Sequence, residues 1–140
     1  MIMKKGVTLL LAIFISTLAL NLGLGIFTII YGELGLAGTS RESLISFYAA
    51  DSGVECVLFW DIKEQAFSTS TTSTINCAGF GYTVGGSSLS TFDMKLPNNS
   101  CARVRVQKTG SETIVTSLGE NISCGLTGSR TVQRGLEVKY

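Results

Sequence analysis

The stretch of residues 7–31 contains no charged side chain, and it constrains the fold of this chain more than any other feature. It reads VTLLLAIFISTLALNLGLGIFTIIY and follows the short basic segment MIMKKG. A helix needs about 20 mostly apolar residues to cross the hydrocarbon core of a bilayer. The sequence therefore predicts a leader over residues 1–6 and a membrane-spanning helix over residues 7–31. Because Lys4 and Lys5 precede the helix, we expect the N-terminus in the cytoplasm and the rest of the chain outside.

Composition limits what kind of domain can follow the helix. The roughly one hundred remaining residues suffice for one small domain. The chain has no histidine, which removes the commonest general base and the commonest metal ligand. No nucleophile and base set or phosphate loop is found either, so we expect neither an enzyme nor a cofactor or metal site.

Charge gives little support to a nucleic-acid partner. Eleven Lys and Arg stand against ten Asp and Glu, so no broad basic surface is predicted. Arg103, Arg105 and Lys108 are expected on one strand face, where they could contact phosphate. A solvated strand face explains them better.

A second helical segment is predicted to continue the first over residues 32–67. Its apolar residues recur at three- and four-residue spacing, which is typical of an amphipathic helix with one buried stripe. The predicted buried stripe consists of Leu44, Phe47, Tyr48, Val54, Leu58 and Ile62.

Residues 68–140 read as a β-rich domain outside the cytoplasm. The polar run at 68–74 is predicted to be a connector, and short segments of period-2 alternation follow it. The segment KTGSE at 108–112 predicts the turn of a hairpin. Alternation implies a sheet with one buried face, which the helix would cover. The predicted class is therefore α+β, with a long N-terminal helix packed on a small antiparallel β-sheet.

The four cysteines are predicted to form disulfides, because an even number in a small exported domain favours bridges. Zinc is disfavoured, since no two of them are close enough in sequence for a C-x-x-C pair. Four cysteines allow three connectivities. We favour Cys56–Cys77, which would attach the helix end to the start of the sheet, and Cys101–Cys124, which would clamp the hairpin region.

The junction between the leader and the apolar stretch, KKGVTLLL, resembles the class III signal of type IV prepilins. The resemblance implies that a prepilin peptidase cuts between Gly6 and Val7, leaving the helix on the mature protein, and that Val7 is N-methylated. An uncleaved signal anchor is the alternative, since basic residues before an apolar run are expected there too.

A second resemblance lies in FYAADSGVEC, residues 47–56. It is similar to the A-A-E-x-G-x-E segment of PilX-like minor pilins, matched here by Ala49, Ala50, Asp51, Gly53 and Glu55. The structural alternative is that Ala and Gly allow close helix packing while the two acids are merely solvated.

Two residues in the membrane stretch bear on the type of subunit. The fifth mature residue of most major pilins is a glutamate, and here it is Leu11, which points to a minor subunit. Asn21 is either a hydrogen-bond partner between helices or a tolerated polar residue.

The resemblance implies a structural subunit of a type IV pilus or related filament, located in the inner membrane and then in the cell-surface pilus. Its expected partners are other pilin subunits, the prepilin peptidase and the inner-membrane assembly machinery. The alternatives are a type II secretion pseudopilin and a single-pass anchored binding or adhesin module.

Overall fold

A computed structural model describes residues 3–140, with side chains from Gly6 onward. Met1 and Ile2 of the predicted leader lie outside the described residues. One helix, α1 (Met3–Glu64), is followed by six strands: β1 (Thr72–Cys77), β2 (Phe80–Gly85), β3 (Leu89–Lys95), β4 (Cys101–Thr109), β5 (Glu112–Glu120) and β6 (Gln133–Lys139). The predicted α+β class, a long N-terminal helix with antiparallel strands, is confirmed.

The chain divides into two compact units, one ending at Thr39 and one from Ser40 to Tyr140. The first contains only the N-terminal part of α1. The second contains the remainder of α1 and all six strands, and it holds the hydrophobic core.

The strands of the second unit form two antiparallel sheets, a pair β1-β2 and a four-stranded sheet in the order β3-β4-β5-β6. The predicted hairpin is confirmed: Thr109 pairs with Glu112 across a two-residue turn. Gly110 has a φ of +61°, which short hairpin turns favour at this position. The connector prediction is wrong at its end, because β1 already begins at Thr72 and Thr74 pairs with Thr83.

The core lies between the inner sheet faces and one side of α1. Alternate residues of β3 and β4 point inward, and Met94, Val104 and Val106 are fully buried there. Phe67 follows the helix and stacks on Phe92 with ring centroids 6.4 Å apart.

The predicted buried stripe of α1 is wrong in most of its members. Leu44, Phe47, Tyr48 and Ile62 are exposed, and only Val54 of the six is fully buried. The buried face carries small residues instead, namely Ser46, Ala49, Ala50, Gly53 and Val57.

The reason is the closeness of the sheet. A Cβ atom added to Gly119 of β5 would collide with the backbone carbonyl of Ser46 and the backbone nitrogen of Ala50. A Cβ atom at Gly53 would overlap Ser117 Oγ and lie 2.9 Å from Val104 Cγ2. Because backbone meets backbone here, only small side chains fit between the helix and β5.

The helix ends three residues before the predicted boundary at residue 67. Gln65 has a φ of +51°, a left-handed conformation that stops the helix. Just before this end, Trp60 Nε1 donates a hydrogen bond of 3.1 Å to the backbone oxygen of Asn76 in β1.

Both disulfides have the pairing that we favoured. Cys56 of α1 is bonded to Cys77 at the end of β1, with Cα atoms 6.0 Å apart. Cys101 at the start of β4 is bonded to Cys124 in the β5–β6 connection, with Cα atoms 5.0 Å apart.

Candidate functional site

The apolar segment of α1 in the first unit is uncovered. Its large apolar side chains between Val7 and Leu36 are 48–73% exposed. An 18-residue window has a mean hydropathy of 2.3, and none of that window is buried within the protein. By length and composition α1 is thus able to cross a membrane, as predicted.

The polar side chains inside this segment bond to their own helix. Ser16 Oγ donates to the backbone oxygen of Ala12, and Thr17 Oγ1 to that of Phe14. Asn21 Nδ2 donates to the backbone oxygen of Thr17 at 2.8 Å. Among the described residues nothing donates to Asn21 Oδ1, which leaves one acceptor open to a neighbouring helix.

The residues of the predicted processing site lie in the first turns of α1. A Cβ atom at Gly6 would meet nothing within 4 Å. Val7 and Leu11 are exposed and, being four residues apart, share one helix face. Cleavage after Gly6 and methylation of Val7 stay predictions.

The PilX-like motif is split between two faces of the helix. Ala49, Ala50 and Gly53 are buried against the four-stranded sheet, whereas Asp51 is half-buried and Glu55 exposed. Neither acid has an ion pair within the described residues. The geometry therefore bears out the packing role of the three small residues.

The side of α1 that faces away from the sheet in the second unit carries four exposed apolar side chains with two acids among them. We name it the outer stripe; it consists of Leu44, Tyr48, Phe59 and Ile62, with Asp51 and Glu55 between them. The exposed fractions are 53% for Leu44 and 62% for Tyr48. Several apolar residues whose spacing we interpreted as a buried stripe therefore form an exposed one, to which Phe59 also belongs.

A polar cluster around the buried carboxylate of Asp61, at the end of α1, was missed by the sequence reasoning. Asp61 is 6% exposed. Lys108 Nζ and Tyr140 Oη each donate to Asp61 Oδ2 at 2.8 Å. Burial, and next the hydrogen bond to Asp61, raise the pKa of the Tyr140 hydroxyl well above its ordinary value of 10. No sequence signal joins three residues so far apart.

This cluster corrects the predicted basic strand face. Arg103 and Arg105 are exposed on one face of β4, but Lys108 lies toward the helix side and is paired with Asp61. The face that would contact phosphate thus has one cation fewer than predicted.

The fold and this site define an α+β protein whose N-terminal helix is long and apolar enough to cross a membrane. Comparison with protein-family models, with curated proteins and with solved structures finds no match. The function is therefore inferred from the residues and their geometry.

Proposed function

We propose that this chain is a structural, minor subunit of a type IV pilus or related filament, assembled through its N-terminal helix. The observation that carries the proposal is the uncovered apolar segment of α1, together with the prepilin-like KKGVTLLL junction that precedes it. So much apolar surface is unfavourable in water, at about 25 cal/mol per Å². Lipid or other helices must cover it.

During assembly, the apolar segment would leave lipid and pack against the helices of other subunits. In the inner membrane the segment lies in lipid, with Lys4 and Lys5 holding the N-terminus in the cytoplasm. In the filament the helices of neighbouring subunits replace lipid, and packing and hydrogen bonds between helices drive the exchange. The open acceptor of Asn21 is suited to such a bond, and the outer stripe offers further apolar contact outside the membrane.

Processing would occur at the Gly6–Val7 peptide bond, performed by a prepilin peptidase. The new amine at Val7 would then be methylated. With Leu11 in place of a carboxylate, the stretch of residues 7–31 has no side-chain charge to pair with the N-terminal amine of a neighbour. This is why we assign a minor position in the filament.

The mature N-terminus tests the proposal. Mass spectrometry of the chain from cells with an active prepilin peptidase should find a protein that starts at methylated Val7. Gly6→Leu should block cleavage, whereas Gly25→Leu should not; a side chain at either glycine meets nothing within 4 Å. An intact Met1 in the unchanged chain would overturn the proposal.

A type II secretion pseudopilin is the close alternative, because the N-terminal device is the same. Recovery of the mature chain in sheared surface pili favours the pilus, and its retention in the cell envelope with loss of secretion on deletion favours the pseudopilus. An anchored binding module is the alternative from another class, and it predicts an uncleaved N-terminus.

A further inference from the structure

The outer face of the four-stranded sheet, which points away from α1, is concave. The concavity encloses about 930 Å³ and spans all four strands. Its middle row runs across the sheet as Thr91, Arg105, Thr116 and Glu137, which are paired in register on β3, β4, β5 and β6.

One of the three cations that line the concavity has no ionic partner. Arg103 lies 3.4 Å from Asp93 and 3.9 Å from Glu120. Lys139 Nζ lies 3.6 Å from Glu137. Arg105 has neither an ion pair nor a side-chain hydrogen bond within the described part of the chain, and threonine hydroxyls flank it on both neighbouring strands. This guanidinium is therefore available to bind a carboxylate.

Apolar side chains flank the same row. Ile114 and Leu118 stand on β5, two residues before and two after Thr116, and both are partly buried in the concavity. A rise of about 3.4 Å per residue puts each of them about 7 Å from Thr116 along the strand. Along β5 the face therefore presents apolar positions on either side of Thr116, and Arg105 is paired with Thr116 on the neighbouring strand.

We propose that this concavity binds an extended peptide segment of a partner protein, in which an acidic residue stands between two large apolar residues at alternating positions. Side chains on one face of an extended peptide repeat at about 7 Å, so one apolar side chain would contact Ile114 and the other Leu118. The carboxylate between them would pair with Arg105 and accept hydrogen bonds from the threonine hydroxyls.

Charge and composition favour this occupant over a polyanion. Nucleic acid needs a series of free cations along its backbone, and here the neighbours of Arg105 are already neutralised. The lining contains no exposed aromatic side chain on which a base would stack, since its one aromatic residue, Phe92, is buried.

A second copy of this chain is a poor source for the segment. In the sequence the pattern of an acid with one large apolar residue two positions before it and another two positions after it occurs once, as LGENI at residues 118–122. Its first three residues form the end of β5, and Glu120 is buried there. The partner is therefore a different protein.

The experiment measures fluorescence anisotropy of a labelled TLTETLT peptide with the full chain in detergent micelles. We expect saturable binding below about 1 mM that weakens as salt rises. Arg105→Gln, and separately the peptide TLTQTLT, should each lower the affinity about tenfold or more, since a charged hydrogen-bonded pair is lost. Lys95→Gln is the matched control: it removes an exposed cation from the same sheet face, outside the concavity, and should change nothing.

Three outcomes would overturn the inference: no saturable binding of TLTETLT, equal affinity for TLTETLT and TLTQTLT, or unchanged affinity in Arg105→Gln. Tighter Arg105-dependent binding of duplex DNA or of a uronate oligosaccharide would also overturn it. The assay does not involve the N-terminus, so its failure and a failure of the filament proposal are distinguishable.

Discussion

At the scale of single residues, Gly53 lies where α1 packs tightly against side chains of the sheet. A valine there would place its Cβ in contact with Ser117 Oγ and Val104, and the sheet backbone leaves no room to retreat. We expect Gly53→Val to lower the free energy of unfolding by about 1–3 kcal/mol. Fluorescence of Trp60, the one tryptophan, reports unfolding in denaturant. Ser52→Val is the control, because it introduces the same valine side chain at the neighbouring residue, which is partly exposed. A loss of unfolding free energy equal to that of Gly53→Val would contradict the close-packing argument.

The hydroxyl of Tyr140 gives a pH prediction at the same scale. The folded state holds the pKa of Tyr140 above its unfolded value of 10, so above about pH 10 the unfolded chain has fewer bound protons than the folded one. Stability should therefore be unaffected by this group below pH 10 and should fall as pH rises beyond it. Denaturation midpoints between about pH 9 and 11 measure the effect.

Tyr140→Phe should reduce the loss of stability at alkaline pH, because it removes the hydroxyl that loses its proton more readily in the unfolded state. Tyr48→Phe is the matched control, since the Tyr48 hydroxyl has no hydrogen bond in the described structure. An identical alkaline loss in the Tyr140→Phe and unchanged chains would mean that Tyr140 is not the group responsible.

At the scale of elements, the strands of the four-stranded sheet were predictable, whereas the start of β1 and the buried face of the helix were not. A strand has only two faces, so the alternation of Val104 and Val106 with Arg103 and Arg105 determines which face is buried. A helix has many possible faces, and large apolar residues such as Tyr48 indicate the wrong one here. The signal that identifies the buried face is the series of small residues around Gly53, and it is informative only once Gly119 is known to lie opposite.

The features of the candidate site also divide into those that the sequence predicts and those that it does not. The apolar segment and the presence of disulfides were predictable from the sequence, since length and cysteine count limit the choices, whereas the pairing that we favoured was one of three possible. The Asp61 cluster and the free guanidinium of Arg105 were not, because each depends on pairing between distant segments. Local patterns contain no information on which charge finds a partner.

The first disulfide leads to a prediction about the two-stranded sheet. Cys56–Cys77 attaches β1 to α1, next to the single hydrogen bond from Trp60 to Asn76. The double variant Cys56→Ser/Cys77→Ser should lose about 3 kcal/mol, the chain-entropy value for a loop of this length. Hydrogen exchange should accelerate most at the amides of β1 and β2.

The matching control removes the other bridge. Cys101→Ser/Cys124→Ser releases the β5–β6 connection and should leave exchange in β1 unchanged relative to the rest of the domain. If both double variants accelerate exchange uniformly over all six strands, the two bridges do not act on separate elements.

At the scale of the whole molecule, α1 is exposed on all sides in the first unit and covered on one side in the second. In the second unit the sheet covers the small-residue face of α1 and leaves the outer stripe exposed. Stability of the domain and assembly of the proposed filament therefore depend on different residues of one helix. This separation makes it possible to disturb assembly without unfolding the domain.

Leu44→Lys and Tyr48→Lys test that separation. Both side chains are exposed, so the free energy of unfolding should stay within about 0.5 kcal/mol of the value for the unchanged chain. A lysine would nevertheless place a charge that loses its hydration in the proposed contact between subunits, and incorporation into filaments should fall several-fold. The measurement compares the chain in sheared filaments with the membrane pool, and Leu89→Lys, which replaces an exposed leucine of the sheet, is the control. Full incorporation of both variants would exclude the outer stripe from assembly. Finding the unchanged chain as the main filament component would contradict a different proposal, the minor position that we assign from Leu11.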